Sequence, residues 1–429
     1  MRRLSTFTRG FASTFVLDVA ARAMSAATTV LLLHALDVSG FAFIVLLLAV
    51  GQFLGGAATG GLRLRYVRTE AERVSRGEGE RTSFWVAWRS GNLLVLAAGV
   101  LGFLGATALG IGESLEERAT FVGLGVAYTL AHATVELSVF HHQAQLAFAR
   151  GGLISVLRST IILACSLAAT FNVLETGEQV GLAFAIGVGA LAVVVAGPIA
   201  WQTRRSIAGR EGRFGFGRES ASLTIYSIAS AGWAYATVFL VAALLDETAV
   251  ASYGAASRYI SVVIGPVPAL VSVIRVRTAQ SDMIDSEEAQ IDMMRNWAKR
   301  VAPLALLVLG AAGIAAPFAI PFVDGGKYPL SVPIFEVMLV LAFAQLVTLP
   351  NSSLLITQKR YTLLAKVNVA AVVAYALVAI VVAPLLGVVG LVAAGTLVAV
   401  VQVSTVTYLA AHPPQGDPTP SPTPAELVH

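Results

Sequence analysis

The chain has 429 residues, 56% of them hydrophobic and only 13% charged, and its mean hydropathy is +0.77. That balance excludes an ordinary water-soluble domain, and the single cysteine excludes an internal disulfide framework or a cysteine-rich metal centre. The net charge of +4 arises in loops beside apolar segments, so it does not point to nucleic acid.

A helix that crosses a bilayer needs about 20 apolar residues. The sequence predicts twelve, near 14–34, 38–61, 84–108, 119–139, 153–171, 179–201, 221–244, 249–272, 301–322, 332–355, 362–383 and 388–410. The first lacks a small-residue cleavage site and reads as a span, not a removable signal. Arg2, Arg3 and Arg9 precede it, and the Arg-rich linkers 63–81, 204–218 and 275–300 fall on their side, with Lys359 and Arg360. Of the 29 basic residues, only Arg118 and Lys327 fall in loops on the other side. Cytoplasmic loops retain Lys and Arg, so both termini are expected in the cytoplasm. The stretch from His412 to His429 contains PPQGDPTPSPTP and is expected to be a disordered tail.

The second half of the chain echoes the first at an offset of about 210 residues. Asp37 corresponds to Asp246, the Leu62–Arg65 passage to Ile274–Arg277, Arg150 to Arg360, and Val180-Gly-Leu to Val389-Gly-Leu. Each half holds an even number of spans, so the halves are parallel repeats related by an axis along the membrane normal. The expected organisation is an N-terminal lobe (1–205), an Arg-rich linker (206–220), a C-terminal lobe (221–411) and the tail (412–429). Paired repeats of this kind hold substrate at their interface and rock about it.

Five basic residues lie inside the apolar segments: Arg22, Arg89, Arg158, Arg258 and Lys366. A charge at mid-bilayer costs at least ~2.5 kcal/mol, so it faces a cavity or a partner, or snorkels to the interface. On the first span, Thr14, Asp18, Arg22, Ser25 and Thr29 make one polar stripe expected to line a central cleft. Arg22 is a candidate contact for an anionic headgroup, because a guanidinium can engage two phosphate oxygens at once. Asp18 and Arg22, at i and i+4, either pair with each other or separate when cargo takes the arginine, freeing Asp18 for H⁺ or Na⁺. Arg258 is mid-span and either lines the cavity or meets a buried acid. Arg89, Arg158 and Lys366 lie near a cytoplasmic edge and either snorkel or form a basic vestibule.

In span 4, His132 and Glu136 (i, i+4) form either a protonation relay or an interhelical hydrogen bond. Span 7 carries Tyr226, Ser230, Trp233 and Thr237 at helical steps, a stripe suited to a sugar or to packing. Gly265-Pro-Val-Pro268 should bend span 8. No phosphate-binding glycine loop, His/Asp metal cluster or serine elbow is present in the sequence, so catalytic residues, a metal and a cofactor are not expected.

Several passages of the second half resemble a known family. Asp246-Glu-Thr-Ala-Val-Ala-Ser-Tyr-Gly-Ala-Ala-Ser-Arg258, Gly325-Gly-Lys-Tyr-Pro-Leu-Ser-Val-Pro333, Asn351-Ser-Ser-Leu-Leu-Ile-Thr-Gln-Lys-Arg360 and Pro384-Leu-Leu-Gly-Val-Val-Gly-Leu391 resemble passages of the Wzx-type polysaccharide transporters. These belong to the multidrug/oligosaccharidyl-lipid/polysaccharide exporter (MOP) superfamily. The resemblance implies an all-α, twelve-helix integral membrane protein with a V-shaped pair of six-helix lobes, in a bacterial cell membrane. It also implies a flippase that carries a polyprenyl-pyrophosphate-linked oligosaccharide to the outer leaflet, alongside a glycan polymerase or glycosyltransferases of the same pathway. The alternatives are a cation-coupled multidrug exporter of the same superfamily, which would favour a carboxylate-rich pocket, or a membrane glycan polymerase or ligase.

Overall fold

The computed structural model describes residues 2–75, 83–108, 115–145, 147–206, 218–264, 287–357 and 360–412. Some side chains within these helices, Asp18 and Arg118 among them, are outside the described set, as are Gly265–Pro268 and the proline-rich tail from residue 413. Eleven helices run through the described residues. They are α1 (Arg2–Ala35), α2 (Val38–Ser75), α3 (Ser83–Ala108), α4 (Leu115–Ala144), α5 (Phe148–Thr170) and α6 (Gly177–Ser206) in the first half. The second half holds α7 (Arg218–Leu244), α8 (Glu247–Val263), α9 (Glu287–Asp324), α10 (Ser331–Thr357) and α11 (Tyr361–Ala411).

The last of these is two spans. Gly387 has φ 61° and ψ −156°, a conformation that is cheap only without a Cβ, and Pro384 precedes it. Beyond the turn the chain doubles back. Tyr375 Oη donates to Leu391 O at 3.0 Å, Gln402 Nε2 to Asn368 Oδ1 at 2.9 Å, and Arg360 Nη1 to Leu409 O at 3.0 Å. Pairs converging on one turn are those of an antiparallel hairpin, so 361–386 and 388–411 are separate crossings. Each of the twelve expected spans has a helix among the described residues, the eighth as far as Val263. Most of the helices are apolar and long enough to cross a bilayer. The chain is a multi-pass membrane protein.

The repeated aspartates have a local job. Asp37 Oδ1 accepts the Gly40 N–H and Asp246 Oδ1 the Ala249 N–H, each at 2.8 Å. Each caps the second helix of its half, satisfying a donor that the helix itself cannot. Within the halves, α1 packs on α5, α4 on α6, α2 and α3, α7 on α11, and α10 on α11, α9 and α8.

The lobes meet along α2, which packs against both α7 and α8. The α2–α7 seam is closest at the Arg-rich ("basic") end, where α2 leaves the core. A Cβ on Gly61 would sit 2.8 Å from the Thr224 backbone nitrogen, and one on Gly60 2.9 Å from Ser227 Oγ. Glycines here let two backbones touch, the small-residue device of helix pairs in membranes. Further along, Tyr235 Oη donates to Gln52 Oε1 at 2.8 Å and Phe53 meets Phe239 edge-on.

At the opposite ("far") end the lobes are joined by polar contacts. Lys327 Nζ donates to Leu36 O and, at 3.2 Å, to Leu33 O, so a cation of the C-terminal lobe closes the carbonyl end of α1. His34 Nε2 lies 2.8 Å from Val323 O, and the Phe41 and Tyr328 rings meet at 5.6 Å. Gly325 and Gly326 (φ 64° and 73°) make the turn that presents Lys327. Burial, with Asp324 and Asp37 nearby, pushes the Tyr328 phenol up to about 12, so it stays neutral at physiological pH.

Candidate functional site

The polar residues at the middle of the lobe seam form one connected group built from α2, α4, α5, α7 and α8. On the N-terminal side, Arg158 of α5 forms an ion pair with Glu136 of α4, donating from Nη1 to Oε1. The side chains are 19% and 23% exposed, so the pair is neither dry nor at the surface. The same nitrogen lies 3.4 Å from His132 Nδ1. A guanidinium can only donate, so this contact uses a neutral ring with Nδ1 unprotonated. His132 stacks on Tyr128, one turn back along α4, with centroids 5.7 Å apart. The sequence spacing places Tyr128, His132 and Glu136 on one face of α4. Tyr128 lies against α2 at Gly51, where a Cβ would stand 2.6 Å from its ring.

On the C-terminal side, Arg258 of α8 is partly buried and in electrostatic range of Tyr128, Tyr235 and Tyr253. Tyr235 of α7 lies in electrostatic range of Arg258, Tyr128 and Glu136, residues of both lobes. Among the described residues, no carboxylate pairs with Arg258. Coulomb forces at this depth are weakly screened, and among the described residues of the centre two arginines face one glutamate. Phenol oxygens offer Arg258 dipoles and no compensating charge.

The expected interior cations are therefore divided. Arg158 and Arg258 flank the centre. Arg158, expected to snorkel or line a vestibule, is instead held by Glu136, and the His132–Glu136 pair becomes part of a three-residue cluster. Arg89 on α3 and Lys366 on α11 are exposed and are not brought to this group. Arg22 is partly buried on α1 and engaged in interactions of its own. Thr29 donates to Ser25 O at 3.1 Å, satisfying that part of the α1 stripe within the helix. The Asp18 side chain lies outside the described residues.

The aromatic stripe of α7 turns toward α11. Tyr226 packs on Tyr361 and Trp233 on Tyr375, each with centroids 6.2 Å apart, and Thr237 lies near the Tyr253 and Tyr375 phenols. Of the two readings of this stripe, sugar or packing, Tyr226 and Trp233 show packing contacts. Ser230 is partly buried on the same helix. Gln52, Tyr128, Tyr235 and Tyr253 belong to the centre and carried no charge to betray them in the sequence. The i, i+4, i+8 run Tyr128–His132–Glu136 was the available signal. Among the described residues, no cluster of His, Cys, Asp or Glu could hold a metal.

No protein-family model matches the chain, and no curated protein matches it. Solved structures do. A Vibrio cholerae MATE transporter (VcmN) superposes with a TM-score of 0.62 at 13% identity, covering 95% of each chain. An outward-facing multidrug resistance MATE transporter of the MOP superfamily gives 0.60 at 14% identity over 94% of each. A MOP superfamily transporter from Pyrococcus furiosus, described by a reverse polarity of its binding pocket that suggests a different function, gives 0.55 at 13% identity over 94% of this chain and 95% of that one. The likeness spans essentially the whole length of all three, and the chain has the two-lobed, twelve-helix fold of the MATE transporters.

Proposed function

We propose that the chain is a cation-coupled exporter that moves an amphiphile with an acidic head by alternating access between its lobes. The observation that carries the acidic head is Arg258, an intramembrane cation at the lobe interface with no carboxylate partner among the described residues. Such a charge is costly unless it serves a ligand or pathway. The exporter part rests on the fold, whose neighbours include multidrug MATE transporters. The Pyrococcus neighbour is a precedent for pocket polarity varying on this fold.

In this reading Glu136, Arg158 and His132 are the coupling group. Protonation of Glu136 releases Arg158 to the centre, and loss of the proton recaptures it. Asp18 is a second candidate for the coupling ion. The placement of Lys and Arg puts the basic end in the cytoplasm, so cargo enters there and leaves past the Lys327 contacts.

A second reading is a flippase for a polyprenyl-pyrophosphate-linked oligosaccharide, favoured by the same Arg258 and by the passage 246–258. Proteoliposomes separate the readings when offered an anionic dye, an organic cation and a short polyprenyl-pyrophosphate glycan. The expected result is proton-gradient-dependent efflux of the anionic dye that is lost in Arg258→Gln. Efflux of the organic cation alone, equal in parent and variant, would sink the acidic-head proposal. Glycan exposure without dye efflux would establish the flippase instead.

A further inference from the structure

The N-terminal lobe has a second concavity, on the side away from the C-terminal lobe. Helices α3, α4 and α6 leave a groove of about 460 Å³ along their middle, with Leu96 and Val193 exposed among its lining residues. Its α6 wall is made of Gly189, Ala192, Ala196, Gly197 and Ala200, and a Cβ added at Gly197 would meet nothing within 4 Å. Along α3 the groove runs from Trp88 to Leu96, roughly 12 Å at the helical rise of about 1.5 Å per residue.

Its basic end is capped by charge. Arg204, one turn beyond Ala200, lies over the Trp85 ring at 5.6 Å, and Trp85 meets Trp88 at 5.1 Å. Arg89, next to Trp88, is exposed, and neither arginine has an ion-pair partner among the described residues. Paired tryptophans with arginines beside them mark the headgroup level of a bilayer. Asn92 lines the groove one turn below Trp88, with no hydrogen-bond partner among the described residues. Helical side chains lean toward the N-terminus, so Asn92 leans back to the charged mouth.

We infer that this groove holds an anionic phospholipid of the surrounding membrane. Its phosphate sits against Arg204 and Arg89, its ester carbonyl accepts from Asn92, and an acyl chain fills the space over Gly197. A zwitterionic lipid offers the same phosphate but brings its own cation beside the two arginines, so a lipid of net negative charge is the better match. The groove is not an entrance for cargo, because α4 stands between: Ala131 and Thr134 line the groove, while Tyr128, His132 and Glu136 belong to the centre.

The test is native mass spectrometry of the full chain in detergent, with phosphatidylglycerol and phosphatidylcholine supplied at equal concentration. The parent should retain phosphatidylglycerol preferentially, and the preference should fall by roughly fivefold for each arginine removed in Arg89→Gln and Arg204→Gln. Both residues are exposed, so the variants should fold, which circular dichroism checks. Gly197→Leu fills the groove without touching charge and should lower retention of both lipids. Equal retention of the two lipids by the parent, or undiminished preference in the double arginine variant, overturns the inference. Displacement of phosphatidylglycerol by an equimolar polyprenyl phosphate also overturns it, since the occupant would then be cargo.

Discussion

Arg158 and Arg258 are the same residue type at similar depth, one on each side of the lobe seam, and the molecule treats them in opposite ways. Arg158 is held by Glu136 and lies beside His132, so its charge is cancelled in place. Arg258 faces tyrosines and no carboxylate among the described residues. The first arrangement is one whose removal costs stability; the second is one whose presence costs stability and is retained for another reason. The difference separates a charge held by its own carboxylate from one left to a ligand within a single polar group.

The largest expected effect tests the paired arginine. Glu136→Gln leaves Arg158 without its counter-charge, and loss of one member of a partly buried pair should lower stability by about 3 kcal/mol. Replacing both members, Glu136→Leu with Arg158→Met, should recover most of that loss, as read by thermal unfolding in detergent. A double variant as unstable as the single one would mean the pair is not the unit described here. For Arg258→Gln the opposite is expected: unfolding unchanged or shifted upward, with transport of the anionic cargo down at least tenfold, about 1.4 kcal/mol. A strong fall in stability would show that Arg258 too is structural.

Smaller effects are expected at the two ends of the seam. Gly61→Ala drives a Cβ into the Thr224 backbone, which cannot rotate aside, and should cost about 1–3 kcal/mol. Lys327→Met removes two hydrogen bonds to α1 carbonyls at an exposed site and should cost no more than about 1 kcal/mol. It should nonetheless raise labelling of a Gln52→Cys probe from the far side, measured with Cys165 replaced by alanine. The basic-end seam is backbone against backbone and separates only as a unit. The far-end seam is a few polar contacts and can open first. Labelling that rises from the basic end instead would reverse that order.

Much of the architecture was legible in the sequence. The twelve spans, the break at Pro384–Gly387 and the matched Asp37 and Asp246 all follow from local chemistry: apolar length, a residue that cannot continue a helix, and a side chain that caps one. The polar face of α4 was half visible in His132 and Glu136. What was not legible is which face meets which. Arg158 finds Glu136 on a neighbouring helix while Arg89 and Lys366 stay exposed, although all three read alike as snorkelling or lining a vestibule. Of the two readings open for the span 7 stripe, Tyr226 and Trp233 show packing on α11.

The sequence by itself therefore determined that the chain spans a membrane repeatedly, in two similar halves, with cations inside. It could do so because hydropathy and capping act within a few turns of one helix. Only the tertiary structure decided that one of those cations is neutralised and another is not. Pairing between helices depends on how each is rotated and slid against its neighbours, and that is set by close contacts such as Gly51 with Tyr128 and Gly61 with Thr224, which no single segment contains.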